Sequence, residues 1–259
     1  MSDSIPEVNS TPSREGTWAR PVGRLDSSQV QGGVNINVDG KQLAGPLRGF
    51  GQLWQKTYSI RLSKADLTPQ QVVATWRERF PQYWPKGNRF YGPQAGIASG
   101  SVAVLNLAGP GGITAPGGRP LVSTGILVIY TDDESFSFMT PEGHMFGGMI
   151  TFSAFEDEGI VAQIQALIRA NDPLYELGLR LGIIHKSEDD FWHKTLQNLA
   201  ADFGEQVDVK QVNLIIDPGV QWSQAGNIWQ NAAIRTGIYL VMTPLRWAGG
   251  LLRKKKAQA

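Results

Sequence analysis

The sequence contains no cysteine and only three histidines among its 259 residues. The absence of cysteine excludes a disulfide framework, thiol catalysis and metal sites built on cysteine. Charged residues make up only 18%, and the formal net charge of +1 excludes a nucleic-acid binder that depends on bulk positive charge. Hydrophobic residues reach 41%, which predicts a chain that folds around a core.

Long apolar runs are missing as well. No stretch approaches the roughly 18 uncharged apolar residues that a membrane-spanning helix requires. The N-terminal residues lack the apolar segment of a secretory signal, so we expect a cytoplasmic protein. The length of 259 residues favours one large domain, or one domain with extensions.

The N-terminal part of the chain predicts two extensions. Residues 1–30 are rich in serine, proline, asparagine and glutamine and have no hydrophobic period, which predicts a flexible arm. In residues 31–55, Val34, Ile36 and Val38 alternate with asparagines before a tight turn. This pattern predicts a short hairpin ahead of the main domain.

A helix with a clear start follows a short predicted strand. Thr68 is expected to cap this helix, and Gln71, three residues later, completes a capping box. Val72, Trp76 and Phe80 then recur every fourth residue and form one apolar stripe.

From residue 101 the hydrophobic period changes from helical to two residues, which predicts strands. The connections between these strands are too short for parallel crossovers, so the strands form an antiparallel meander. The apolar residues of its later strands alternate with polar ones and are Phe136, Phe138, Ile150, Phe152, Ala154, Ile164, Ala166 and Ile168.

A long or broken amphipathic helix is predicted to cover this sheet. Asp172 followed by Pro173 is a helix start, and Ser187 with Asp190 resembles a second capping signal. Gly204 is expected to end the helix. The apolar stripe between these points consists of Leu174, Leu177, Leu181, Trp192, Leu196, Leu199 and Phe203.

The order strand, helix, antiparallel meander and long helix in residues 56–204 resembles the START-like superfamily, also called helix-grip or polyketide cyclase-like. A short motif resembles an uncharacterised bacterial branch of that superfamily and consists of Pro141, Glu142, Gly143, His144, Gly148, Phe152, Ile164, Gln165 and Ala166. The resemblance implies an α+β domain whose antiparallel sheet curves around the last helix. Met149 and Ile150 stand where that branch has an acidic pair, which argues against acid chemistry by such a pair in this chain.

Aromatic residues concentrate on the predicted helix, its exit and the sheet. In the superfamily such side chains line a pocket for lipids, sterols, polyketides or hormones, although core packing explains most of them equally well. The resemblance therefore implies a small hydrophobic or amphipathic ligand. The expected ligand-binding residues are Trp76, Phe80, Trp84, Tyr91, Phe136, Phe138, Phe152 and Trp192.

His144 and Glu142 are the candidate catalytic residues, because a histidine at a cavity mouth can act as an acid or base. The alternative is a loop histidine with a local hydrogen bond. No nucleophile accompanies the pair, so no reaction class is defined and we favour binding over catalysis. A cyclase or dehydratase that uses the same pocket is the second hypothesis, and a protein-interaction module with a filled pocket is the third.

Two other patterns predict no chemistry. His185, Asp189 and His193 are spaced to share one side of a helix, but too few further ligands exist, so we predict no metal and a solvated face. The glycine-rich loop at residues 108–120 precedes a strand and lacks the lysine of a phosphate loop. We expect a mobile loop at a cavity entrance and no cofactor.

The C-terminal extension, residues 205–259, predicts a strand at Val207–Ile216 and then a basic amphipathic helix. After Asp217 the chain has no acidic residue and six basic ones. Such a helix suits an anionic membrane surface at the inner face of the membrane, a protein partner, or docking on its own domain. The candidate contact residues are Trp229, Arg235, Arg246, Trp247, Arg253 and Lys254.

Overall fold

The computed structural model describes residues 16–63, 66–93 and 96–243. The strands are β1 (Thr17–Trp18), β2 (Leu53–Leu62), β3 (Arg89–Tyr91), β4 (Val102–Leu107), β5 (Val122–Thr131), β6 (Ser135–Met139), β7 (Phe146–Glu156), β8 (Ile160–Ala170) and β9 (Lys210–Asp217). The helices are α1 (Pro69–Arg79), α2 (Pro173–Arg180), α3 (Ile183–Asp202) and α4, residues 232–243.

All nine strands belong to one antiparallel sheet. The strand order is β3-β4-β5-β6-β7-β8-β2-β9, with β1 beside β5. This confirms the predicted α+β fold with its antiparallel meander. Strand β9 pairs with β2, so the strand predicted at Val207–Ile216 exists but begins at Lys210 and belongs to the same sheet.

Helix α1 begins where the capping box predicts. The Thr68 side chain accepts a hydrogen bond from the Gln71 backbone, and the Gln71 side chain accepts one from the Thr68 backbone. Val72 and Trp76 are fully buried, and the helix packs across β7 and β8. The apolar stripe of α1 therefore covers the inner face of the sheet.

Helices α2 and α3 are two pieces of the predicted broken helix. Gly182 separates them with a φ of +74°, a left-handed conformation that favours glycine. Helix α3 already begins at Ile183, so the predicted second start at Ser187 is wrong: Ser187 lies inside the helix. Buried Leu196 and Leu199 hold α3 on the same face of the sheet as α1.

The predicted flexible arm is wrong for residues 16–30, and the predicted hairpin in residues 31–55 is wrong as well. Strand β1 pairs with β5, Leu25 is buried, and residues 36–40 form turns rather than a strand. Leu25 and Val38 pack on the outer face of β4 and β5. This face is apolar, and their packing shields it from water. Residues 1–15 lie outside the described residues.

Gly125 on β5 allows the N-terminal segment to pack closely on this strand. A Cβ atom there would lie 2.8 Å from Val38 and 2.6 Å from the Ala103 carbonyl oxygen. The N-terminal segment therefore sits directly on the backbone of β5, and residues 16–55 form a second layer outside the sheet.

Candidate functional site

A cavity of about 520 Å³ lies between the inner face of the sheet, the segment after α1 and the first half of α3. It separates the large core cluster under α1 from a smaller cluster beside α2. Most of its lining side chains are aliphatic or aromatic, including Leu105, Ile126, Phe146, Ile150, Ile168 and Phe191.

Four of the eight predicted ligand-binding residues line this cavity: Phe80, Trp84, Phe138 and Trp192. Trp76, Phe136 and Phe152 are not among the residues that line it, and each is fully buried. The Phe136 and Phe152 rings stack with centroids 4.8 Å apart, and Trp76 packs edge-on against both. These three residues are core beneath α1, and their assignment to the pocket is wrong.

Tyr91 is also misassigned. It packs with the outer-face cluster, against the N-terminal segment at Gly32 and Gly33. Strand β3 alternates like any strand, so Phe90, its neighbour, points to the inner face and lines the cavity instead.

The glycine-rich loop closes one side of the cavity, as predicted for an entrance loop. Residues 108–112 line the cavity, and the turn at Pro110–Gly112 contacts α3. Gly111 and Gly112 have φ values of +68° and +78°, which residues with a side chain rarely adopt. Exposed Lys86 lies across the same opening, so the mouth lies between this loop, the segment after α1 and α3.

His144 lines the cavity and is buried, with an exposed fraction of 8%. Its Nδ1 lies 3.0 Å from the Phe146 backbone nitrogen and 3.1 Å from the Phe146 carbonyl oxygen, so it accepts from the first or donates to the second according to the tautomer. Burial lowers the pKa of His144 to about 4, against a smaller opposing effect of the Phe146 backbone. The imidazole is therefore neutral at pH 7, with its proton on Nε2 when Nδ1 accepts.

Glu142 does not accompany His144. Its carboxylate accepts from the Gln42 backbone at 3.3 Å and lies 3.8 Å from Arg48. These partners sit in the N-terminal layer, which draws Glu142 away from the cavity. The structure therefore does not bring the predicted acid/base pair together.

A buried ionic cluster forms one end of the site, and the sequence analysis missed its centre. The Lys56 ammonium has an exposed fraction of 0% and donates to Glu188 and Asp189, each at 2.8 Å. The Tyr58 hydroxyl also donates to Asp189, at 2.6 Å. We call Lys56, Tyr58, Glu188 and Asp189 the Lys56 cluster. It joins β2 to the first half of α3.

Glu188 belongs to both the Lys56 cluster and the cavity wall. Burial raises its pKa, and the neighbouring Lys56 opposes this effect. Burial also raises the pKa of Tyr58, whereas hydrogen bonds from Lys56 and Tyr58 outweigh burial and lower the pKa of Asp189. The cavity therefore has an acidic acceptor in an otherwise mostly apolar wall.

The alternation of β2 contains a signal for this cluster. Lys56 stands in the inward register of Tyr58, Ile60 and Leu62, which are all buried. A lysine on the buried face of a strand requires an acidic partner, because an unpaired buried charge is costly. The sequence alone does not say that the partner comes from α3.

The predicted solvated face of α3 is wrong for Asp189, which pairs with buried Lys56. His193 bonds to Gln211 on β9 at 2.8 Å, and the His185 ring lies 4.7 Å from that of Trp54. Burial, and then Lys56, lower the pKa of His185 to about 4. No three acidic or histidine residues within the described ranges are arranged to hold a metal.

The C-terminal segment docks on its own domain with one face. Thr236 is fully buried and accepts from the Ser123 backbone at 3.0 Å, and Arg235 donates to Asn37 at 2.9 Å. Other apolar side chains of this segment are exposed: Trp222, Trp229, Ile238 and Val241 have exposed fractions between 59% and 82%.

The remaining candidate contact residues of this segment, Arg246, Trp247, Arg253 and Lys254, lie outside the described residues. Between residues 16 and 243, apart from the two short gaps, no helix is long and apolar enough to cross a bilayer.

The comparisons with known proteins concern the fold. No family model matches the chain, and no curated protein matches it. The di-domain ARO/CYC protein StfQ from the steffimycin biosynthetic pathway is similar over 58% of this chain, with 10% identity and a TM-score of 0.42. The matched region spans half of StfQ.

Protein Ms6760 from Mycobacterium smegmatis is similar over 58% of this chain and 90% of its own, with 14% identity and a TM-score of 0.37. These likenesses are of fold only. The strand order, with α1 and α3 on one face of the antiparallel sheet, agrees with the helix-grip arrangement that the sequence resemblance leads one to expect.

Proposed function

We propose that this protein binds a small apolar or amphipathic ligand in the cavity between the sheet and α3. The observation that supports the proposal is the cavity itself, whose volume of about 520 Å³ falls in the range of ligand sites, roughly 300–1,000 Å³. Aromatic and aliphatic side chains dominate its wall, and His144, Tyr175 and Glu188 are its buried ionisable groups. This combination of an apolar wall and a few polar groups is typical of small-molecule sites.

The packing beside the cavity supports the interpretation that the cavity holds a ligand and is not a packing defect of the core. Under α1 the same strands pack Trp76, Phe136 and Phe152 without exposed area. Side chains that line a void lose contacts on one side, and a bound apolar molecule restores them. Ligand binding is therefore expected to stabilise the folded protein.

A titration with the neutral fluorescent probe N-phenyl-1-naphthylamine tests this proposal. The probe is expected to gain fluorescence with the wild-type protein and to lose most of that gain with Ala108→Trp, which places an indole at the cavity mouth. Ala115→Trp, on the same loop but not among the lining residues, is the matched control. Equal probe binding by the two variants would place the probe outside the cavity.

Catalysis of a cyclase or dehydratase type is the second candidate, because His144 lines the cavity. Its pKa of about 4 makes it a weak base at neutral pH, whereas general acid/base catalysis works best with a pKa near the working pH. His144 therefore suits a hydrogen bond to a ligand oxygen better than proton transfer. Incubation of the protein with its extracted ligand, followed by mass analysis, would favour this candidate if the compound changes and His144→Gln stops the change.

We also propose that the exposed apolar residues of the C-terminal segment contact an anionic membrane surface. Exposed Trp229, Ile238 and Val241 support an apolar contact, and the sequence after residue 243 adds five basic residues and no acidic one. Flotation with phosphatidylserine vesicles is the test. The combined change of these three residues to serine should reduce binding strongly, whereas Val212→Ser on β9 should not. Undiminished flotation of the triple variant would contradict the proposal.

A further inference from the structure

Helix α2 carries a stripe of exposed leucines. Leu174, Leu177 and Leu181 follow at positions i, i+3 and i+7, so they share one side of the helix, and their exposed fractions lie between 45% and 64%. The sequence pattern predicts that this stripe covers the sheet, and that prediction is wrong. The buried apolar side chains of α2 are Tyr175 and Leu179, on the opposite side. The leucine stripe therefore points away from the domain.

The leucine stripe borders the C-terminal segment. The 3-10 helix Trp222–Gln230 packs beside α2, and the Asn231 side chain donates a hydrogen bond to Asp172 at 2.8 Å. Leu174 lies two residues after Asp172, and Trp229 lies two residues before Asn231. Both side chains are exposed. Exposed apolar groups of α2 and of the C-terminal segment are therefore neighbours on one surface.

Acidic side chains are scarce on this surface. Across α2 and residues 218–243 the sequence has one acidic residue, Glu176, whose side chain is buried and bonds to Arg180 at 2.8 Å. Arg180 and Arg235 are the exposed charged residues of the two segments. The chain after residue 243 adds five basic residues and no acidic one. A second copy would bring two such basic surfaces together, whereas an anionic lipid surface complements them.

Strand β9 provides a contrast within the same protein. It also exposes apolar side chains, among them Val212 and Leu214. Exposed Asp208 precedes the strand and half-exposed Asp217 ends it. An anionic lipid surface repels these carboxylates, so apolar exposure alone does not make β9 a membrane contact.

We infer that the leucine stripe of α2 is a second element that inserts into the anionic membrane surface, beside the C-terminal segment. The inference rests on the membrane contact proposed above and adds a helix to it. Apolar side chains next to basic ones are typical of helices that lie in the plane of the membrane interface. Tyr175, on the buried side of α2, lines the cavity, so this contact places the ligand site one helix away from the lipid.

Site-specific fluorescence tests the inference, because the chain has no cysteine of its own. Leu177→Cys, labelled with a nitrobenzoxadiazole fluorophore, is expected to gain intensity and shift its emission to the blue when phosphatidylserine vesicles are added. Trp229→Cys with the same label should respond in the same way, and labelled Val212→Cys should not respond. An unchanged label on Leu177→Cys, with a response of Trp229→Cys, would overturn the inference alone. No response of either label would contradict the membrane contact of the C-terminal segment as well.

A paired substitution measures how much the stripe contributes. Leu177→Gln with Leu181→Gln should raise the Kd for phosphatidylserine vesicles about tenfold, because two apolar side chains no longer enter the interface. Val212→Gln with Leu214→Gln removes two side chains of similar exposure and should change the Kd by less than about twofold. Equal effects of the two pairs would overturn the assignment to α2.

Circular dichroism and thermal melting establish that each variant is folded. If the leucine pair does not fold, the label on Leu177→Cys decides the question. Analytical ultracentrifugation tests the alternative occupant, a second copy. A wild-type dimer that becomes a monomer in the leucine pair, with unchanged vesicle binding, would identify the stripe as an interface between copies and overturn the inference.

Discussion

The inner face of the sheet is covered in two different ways. Under α1, the rings of Trp76, Phe136 and Phe152 pack against one another with no exposed area. Beyond α1, towards α2, Phe138 comes from the same strand as Phe136 but borders the cavity. The aromatic residues are alike in the two regions; the difference is the helix above them. Coverage by α1, and not aromatic content, separates core from pocket.

The two regions also differ in how α3 is held. Next to α1, apolar Leu196 and Leu199 anchor the helix by burial. Beside the cavity, Glu188 and Asp189 anchor it through Lys56 as well. At the cavity, α3 is therefore held by charged groups in addition to its aromatic contacts.

The change Trp76→Ala should have the largest effect on the free energy of unfolding. We expect a loss of about 4–5 kcal/mol, because a fully packed aromatic side chain leaves a cavity when it is removed. Trp192→Ala, at the cavity wall, should cost less, about 3 kcal/mol including the loss of its hydrogen bond to Glu188, since one side of its ring already borders open space. Urea denaturation of both variants measures the difference. An equal loss of unfolding free energy in the two variants would contradict the distinction between core and pocket.

The change Lys56→Met tests the ionic anchor of α3. It leaves the carboxyl groups of Glu188 and Asp189 without their cation, and we expect a loss of about 3–4 kcal/mol in the free energy of unfolding. Lys186→Met breaks the exposed pair with Asp190 and should cost less than about 1 kcal/mol. A small loss in Lys56→Met, measured by the same denaturation, would show that apolar contacts alone hold this end of α3.

The pH dependence of stability reports on His144 in the cavity wall. Its folded pKa of about 4 lies below its ordinary value of 6.5, so the unfolded chain binds the proton more readily. Stability from this residue is complete above pH 6.5 and is lost as the pH falls towards 4, by up to about 3 kcal/mol.

The raised pKa values of Asp172 and Glu188 act in the opposite direction, so the comparison must be made between His144→Gln and the wild-type protein. Denaturation midpoints between pH 7 and pH 4 should fall less steeply in the variant. Parallel curves would mean that His144 is not buried as a neutral ring.

Ligand binding in the cavity is expected to change the free energy of unfolding by the smallest amount of these four tests. At a hundred times its Kd, a ligand adds about 2.7 kcal/mol to the free energy of unfolding. N-phenyl-1-naphthylamine should therefore raise the melting temperature of the wild-type protein and of Ala115→Trp, but not that of Ala108→Trp. A shift of the same size in Ala108→Trp would argue for binding outside the cavity.

Local signals in the sequence predict much of this fold. The capping box at Thr68 predicts the start of α1, and the alternation at Phe136 and Phe152 predicts antiparallel strands. These features depend on neighbours within a few residues. The cover of the outer face by Leu25 and Val38 was not predictable in this way, because only their long-range packing orders a segment of polar composition.

The candidate site was predicted only in part, for the same physical reason. Phe80 and Trp84 were expected at the cavity and lie there, but Phe152 has the same residue type and periodicity and lies in the core. Glu188 reaches the cavity because Gly182 sets the start of α3 and Lys56 holds its first half. Gly182 and Lys56 are far apart in the sequence, so no short sequence pattern contains both and predicts the position of Glu188.

Native mass spectrometry of the protein, purified gently from its own host, tests the central claim most directly. If the cavity is a ligand site, the native mass should exceed the denatured mass by that of a small compound, which solvent extraction then identifies. A native mass equal to that of the bare chain, together with no thermal shift from N-phenyl-1-naphthylamine, would contradict the account.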